Sequence, residues 1–279
     1  MNKNEFEGKI SDFVRTDAGN FVAGEIALRP ELAGMQIFEA PIFGYADSAD
    51  PLFAELRAPG IIGDHFVLPG EWLGGARTVI AMFFPFADVV KKANGADMGW
   101  PADEWLHARI EGQEFQLKIC RHAVALLAGE GFAALAPMTD PRFSGKHPHI
   151  QDRGRQDFYT SNWSERHVAF VCGLGTFSLS RGLITAKGVA GRFVSFVTDA
   201  PFEPNKRPYA KFDEWCARCG ACVRNCPARA ISLEGGKSHP LCSAFLDRVT
   251  ERCGPRYGCG KCQVRVPCEN GVPGAGNRK

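Results

Sequence analysis

The sequence predicts an α/β layer domain followed by a small cysteine-rich domain, on three observations. Strand-like and helix-like patterns alternate through the front of the chain as far as Asp199. Pro201, Pro204 and Pro208 then mark a linker. Beyond it the cysteines crowd together: of eleven, Cys120 and Cys172 come early, and the remaining nine lie between Cys216 and Cys268. The expected domains are residues 1–205 and 206–279.

The elements follow from the hydrophobic pattern. Up to about Gly75 the chain is rich in Gly and Pro, and its mixed pattern yields no definite element. The run from Thr78 to Phe84 is continuously apolar and stops at Pro85, which predicts a strand buried on both faces. From Glu104 to Gly129, Leu106, Ile110, Leu117, Cys120, Val124 and Leu127 recur at helical spacing. Residues 137–163 mix Pro, Gly, His, Arg and aromatic residues without period and read as a long loop. A short helix is expected from Ser164 as N-cap to Cys172, stopped by Gly173. A second strand is expected from Arg192 to Thr198, closed by Asp199-Ala200-Pro201. No internal repeat is visible before the cysteines.

The totals exclude several classes. In 279 residues, 45% hydrophobic and 23% charged, there is room for one medium domain and a small appendage. A net charge of +2 demands neither nucleic acid nor an anionic membrane. The start, Met1 to Glu7, lacks the apolar core of a signal peptide. No run of about 18 apolar residues could span a bilayer. A cytoplasmic protein is the expectation, and there cysteines serve metals more often than disulfides.

Cys216-x2-Cys219-x2-Cys222-x3-Cys226-Pro227 is the bacterial ferredoxin run, in which three thiolates hold one [4Fe-4S] cubane and the fourth serves another. Zinc is the rival, but it takes four ligands, usually as separated pairs, and has no use for Cys-Pro. Cys259-x2-Cys262 forms a second pair, and Cys268 follows. Two cubanes need eight thiolates and nine are present, so Cys242 and Cys253 compete for one place. The assignment reached is Cys216, Cys219, Cys222 and Cys268 for one cluster, and Cys226, Cys242, Cys259 and Cys262 for the other. Cys253 is left as a spare thiol, and Cys120 and Cys172 as small core residues.

The segment Glu165-Arg166-His167-Val168-Ala169-Phe170-Val171-Cys172-Gly173-Leu174-Gly175, followed by Arg181-Gly182-Leu183-Ile184-Thr185, resembles epoxyqueuosine reductases and reductive dehalogenases. So do Leu68-Pro69-Gly70 before the first strand, Val197 to Phe202, and the cysteine frame through Gly258-Cys259-x2-Cys262-Gln263. Together these stretches cover roughly residues 65–85 and 160–270.

The resemblance implies a nitroreductase-like α/β sandwich that binds a corrinoid, followed by a two-cluster ferredoxin-like domain that passes electrons to cobalt. Gly173, Gly175 and Gly182, with Arg181 and Leu183 in the same segment, would lie against the cobalamin, since glycine lets backbone approach a broad ring. Ordinary helix ends and turns are the competing reading of those glycines. Tyr159 stands near the place of the family's acidic proton donor. A phenol with a pKa of about 10 can donate at neutral pH, so Tyr159 is a candidate catalytic acid and Asp157 a second. A packed loop aromatic is the plainer reading of Tyr159.

Lys146, His147, His149, Arg153 and Arg155 could bind an anion, or form only a solvated basic loop. The chain is shorter than the named families and lacks the C-terminal extension common in epoxyqueuosine reductases, which leaves a tRNA substrate open. The expected partners are a small-molecule or nucleoside-type substrate and an electron donor such as ferredoxin or flavodoxin. Two other functions remain: a ferredoxin-like carrier whose front domain only docks a redox partner, and a reductase using FMN in place of the corrinoid.

Overall fold

The computed structural model describes residues 1–145 and 160–274. Helix α1 (Lys3–Thr16) opens the chain, capped by a reciprocal pair in which Asn2 accepts from the Glu5 amide and Glu5 accepts from the Asn2 amide. Phe6, Ile10 and Val14 recur every fourth residue and form its buried stripe. Strand β1 (Ile42–Asp47) and two short helices, α2 (Pro51–Glu55) and α3 (Pro69–Trp72), lead into strand β2 (Thr78–Pro85). After β2 come α4 (Asp88–Ala96), the long α5 (Asp103–Gly129), strand β3 (Ala134–Leu135) and α6 (Glu165–Val171). A hairpin of β4 (Gly175–Phe177) and β5 (Leu183–Thr185) precedes strand β6 (Gly191–Thr198). The cysteine-rich tail holds α7 (Ala221–Arg224), the β7 (Ile231–Ser232) and β8 (Gly236–Lys237) ladder, and α8 (His239–Cys253).

The main sheet runs β1-β2-β6-β3 and every pairing in it is antiparallel. All eight residues of β2 are buried, as expected of a strand with both faces covered. Alternation along the strands sorts side chains to two cores. Ile80, Met82, Phe84, Val194 and Phe196 join α1 and α5 on one face. Val79, Ala81, Phe83, Phe193 and Val197 meet Trp163 and the apolar side of α6 on the other.

Helix α5 spans the expected range, but its buried face is rotated from the one read off hydropathy. Ile110, Leu117 and Val124 are half-buried, whereas Trp105, Gly112, Phe115, Gln116 and Ile119 are fully packed. Small and amide residues carry little weight in a hydropathy pattern, yet here Gly112 packs against Ile37 and Phe38, and Gln116 donates to the Phe193 carbonyl of β6 at 3.2 Å. Helix α6 begins after Ser164 and ends before Gly173, as predicted.

The tail completes its packing with residues of the front domain. Ala221 and Val266 pack with Ile184 and Val189, while Phe245 and Val249 pack with Leu106. The Val189 amide donates to the Cys268 carbonyl at 2.8 Å. Among the described residues no helix is long and apolar enough to cross a membrane.

Candidate metal centre

The cysteines of the tail divide between two cavities. Cys216, Cys219, Cys222 and Cys268 line a small apolar one, closed by Ser178, Leu179 and Ser180 from the β4–β5 turn. Cys226, Cys242, Cys259 and Cys262 line a larger one of about 520 Å³, which opens between the tail, α5 and the start of β6. Cys253 lines neither cavity and packs instead near Leu106, Phe245 and Val249. Cys120 and Cys172 are fully buried in the front domain, where burial pushes both thiols up.

Local backbone explains how so many sulfurs converge. Left-handed residues punctuate the loops: Arg218 and Gly220 flank Cys219, Arg229 follows Cys226, and Gly258 and Gly260 flank Cys259. Such turns aim amide hydrogens inward and make anion-binding concavities. The Ala230 amide, for instance, donates to the Cys226 sulfur at 3.3 Å. A side chain at Gly260 is impossible, because its Cβ would stand 1.9 Å from the Trp105 ring. That contact is how the Cys259–Cys262 loop comes to rest on α5.

Burial, and then the neighbouring thiols, push Cys222 up to about 11 and Cys268 up to about 12. Cys222 also feels Cys262 of the other set, so the two cavities adjoin. Four thiols held together in a half-buried cavity resist ionising unless a cation neutralises them. Among the described residues, no three His, Cys, Asp or Glu side chains converge as the ligands of a single ion would. Four soft donors spread around a cavity suit a multi-iron cube.

The wall of the larger cavity is cationic, which sequence spacing did not reveal. Arg109, Arg192, Lys237 and Lys261 line it, with Asp247 as an acidic member. Lys261 is completely buried and donates to the Asn94 carbonyl at 2.6 Å and to its side-chain oxygen at 2.7 Å. Burial lowers its pKa to about 8. The Arg192 guanidinium donates to the Gln116 oxygen at 2.6 Å and also to Gln113, and burial brings it down to about 9. Arg109 donates to the Tyr257 hydroxyl and lies 4.4 Å from its ring centre. Arg166 is exposed and lies within electrostatic reach of Cys242 and Cys262. None of these positions forms a pattern along the chain, because each depends on which distant loop it meets.

The front residues named for a corrinoid fall differently. A Cβ at Gly175 would stand 1.9 Å from the Ile184 carbonyl oxygen, and one at Gly182 would stand 2.6 Å from Val189. Gly173 closes α6 at φ 85° against the chain near Lys206. The Cβ direction at Gly175 and Gly182 is thus filled by the hairpin and by the chain just after it. Leu183 is fully buried in the core beneath α6. Arg181 is exposed at the turn, and its carbonyl accepts from Arg166 at 2.8 Å. The segment therefore seats the tail: its turn forms one side of the smaller cavity. Tyr159 and Asp157 lie outside the described residues, as do Lys146, His147, His149, Arg153 and Arg155.

Comparison with known proteins agrees with this geometry. Residues 209–232 match the Fer4 family, a 4Fe-4S binding domain. An epoxyqueuosine reductase of Staphylococcus aureus (strain NCTC 8325 / PS 47) is 28% identical over 137 residues, 46% of this chain and 34% of that protein. The match thus spans about a third of that curated relative's length. A solved epoxyqueuosine reductase holding an epoxyqueuosine-modified tRNA stem loop superposes with a TM-score of 0.53 at 16% identity, covering 98% of this chain and 67% of that one. A catabolic reductive dehalogenase superposes with a TM-score of 0.50 at 16% identity, covering 85% of this chain and 31% of that one. The chain is thus similar in part of its sequence to an epoxyqueuosine reductase, shares an α/β fold with solved epoxyqueuosine reductases and a reductive dehalogenase, and carries a 4Fe-4S binding domain match at residues 209–232.

Proposed function

We propose that this protein is an iron–sulfur reductase carrying two [4Fe-4S] clusters, one on Cys216, Cys219, Cys222 and Cys268 and one on Cys226, Cys242, Cys259 and Cys262. The observation that carries the reading is the division of eight cysteines, four and four, around two adjoining cavities. When bound, the clusters supply one-electron transfer at low potential. The residues do the rest. Cys219, the exposed member of its set, offers a route from a donor such as ferredoxin or flavodoxin. The turn at Ser178–Ser180 shields the smaller cavity from water. Trp105 and Phe86 form an apolar wall between the larger cavity and the sheet.

The acceptor in the front domain is an organic substrate of small-molecule or nucleoside type, by analogy with the epoxyqueuosine reductases. A corrinoid is the cofactor that the dehalogenase likeness would bring to this domain. The Cβ direction at Gly175 and Gly182 is filled by the chain's own atoms, and no step is routed through a corrinoid here. The alternative is a carrier whose front domain only docks a redox partner.

The deciding experiment is anaerobic purification and reconstitution with iron and sulfide, followed by assay of iron, sulfide, cobalt and flavin. About eight irons and eight sulfides per chain are expected for two cubanes. Cys253→Ala should leave that content unchanged, whereas Cys242→Ser should lower it to about four. Zinc without acid-labile sulfide would overturn the proposal. A reductase retains a corrinoid or flavin offered during reconstitution; a carrier retains neither.

A further inference from the structure

We propose that the two cluster sites are electrically unequal, with the Cys226/Cys242/Cys259/Cys262 site holding the higher reduction potential, so that electrons entering beside Cys219 run downhill toward α5 and β6. This rests on the two-cluster reading above. An oxidised cubane with its four thiolates is a dianion and the reduced one a trianion, so nearby fixed cations favour reduction.

The two cavities differ in this respect. Arg109, Arg192, Lys237 and Lys261 line the larger cavity against one acid, Asp247. Arg166 lies within electrostatic reach of Cys242 and Cys262, and Lys237 within reach of Cys262. Among the described residues no charged side chain lines the smaller cavity, which is walled by Ser178, Leu179, Ser180, Ala217, Val266 and Pro273 besides its cysteines and Gly220; Arg224, which donates to the Cys219 carbonyl at 3.2 Å, stands at its rim.

The cations are also bonded mainly by neutral oxygens, with Asp97 in electrostatic reach of Lys261. Arg192 is held by two glutamine oxygens, Arg109 by a tyrosine hydroxyl, Arg166 by a backbone carbonyl and Lys261 by an asparagine. Among the described residues none of the four has an ion pair with a carboxylate. A cation bonded only by neutral oxygens keeps its field for the next anion, here the cluster, and most so where it is screened from water, as Lys261 is. Water at the exposed edge of Cys219 also favours reduction at the first site. Among the described residues, four cations line the larger cavity against Arg224 at the rim of the smaller one, and they outweigh that single open edge.

In the transfer itself one electron leaves the first cube, which goes from its reduced to its oxidised state, and enters the second, which is reduced. No atom or proton need move. The electron is supplied by an external one-electron donor of the ferredoxin or flavodoxin class.

The test is a mediated redox titration of the reconstituted full chain, followed by electron paramagnetic resonance. Two one-electron waves are expected, and Cys219→Ser, which alters a ligand of the first site, should shift the lower one. Arg192→Met should lower the upper wave tenfold in equilibrium constant, about 59 mV for one electron, and leave the lower wave in place. Arg192 is set in the sheet, so Arg166→Gln, at a more open position, provides the same readout on a chain less exposed to misfolding. A Cys219→Ser shift in the upper wave would overturn the proposal, and so would an upper wave that neither arginine variant moves. An iron content well below eight would instead overturn the two-cluster reading, which separates the two failures.

Discussion

Glu165 sits in the first turn of α6 with its carboxyl turned toward β6. Trp163 donates its indole hydrogen to the Ser195 hydroxyl at 2.8 Å, and Ser195 donates to one Glu165 oxygen at 2.5 Å. The other oxygen is buried without a partner. Burial raises the carboxyl to about 8, only partly offset by the Ser195 bond, so it is neutral at pH 7. A folded pKa above the unfolded one adds stability at acid pH, and that stability is lost as pH rises through the folded value. The wild type should therefore lose stability between about pH 4.5 and pH 8. Glu165→Gln, neutral in both states, should not show that loss. Urea denaturation of both at pH 5 and pH 8 should differ in slope by on the order of 2–3 kcal/mol. Parallel slopes would mean that the carboxyl is ionised and solvated after all.

At the scale of elements, α5 is the spine that joins the two parts. Its Glu111 accepts from both Arg256 nitrogens at 2.7 Å and from His107 Nδ1 at 2.9 Å, while His107 Nε2 accepts from the Leu28 amide. Burial alone would raise Glu111, but the bonds from His107 and Arg256 outweigh it and hold the carboxyl at about 2. This contribution is present above the usual carboxylate pKa and fades as pH falls from about 4.5 toward 2. Glu111→Gln should cost about 2–3 kcal/mol at pH 7, because Arg256 is left nearly buried without its counterion. Hydrogen exchange should localise the loss to the segment after α8, and the difference from wild type should shrink at pH 3. A uniform loss through the front sheet would show that the pair does not anchor the tail.

For the whole molecule, the tail's own hydrophobic core is small. Its two apolar clusters hold only Ala221 and Val266, and Phe245 and Val249, as fully packed tail residues, completed by Ile184, Val189 and Leu106 of the front domain. Segments with so little core depend on metal for stability. Anaerobic removal of iron by a chelator should open residues 209–274 to trypsin while the sheet and α5 stay resistant. Mass spectrometry of the fragments checks this, and an equally protected tail after iron loss would show that packing alone suffices.

What could be read from the residues alone was what depends on local spacing and residue type. β2 and β6 were legible because each is a continuous apolar run between breakers, and α6 because Ser164 and Gly173 bracket it. α1 was equally local, with its Asn2 and Glu5 cap and its four-residue stripe, yet the glycines and prolines that follow obscured it. The thiolates also announced their chemistry, since softness belongs to sulfur itself and Cys-x2-Cys-x2-Cys-x3-Cys-Pro has few other uses. Only the tertiary structure decided that Lys261 reaches Asn94 and Arg109 reaches Tyr257. Contacts between segments more than a hundred residues apart leave no period in a sequence. Packing alone determines which charges face a site and which space is already filled.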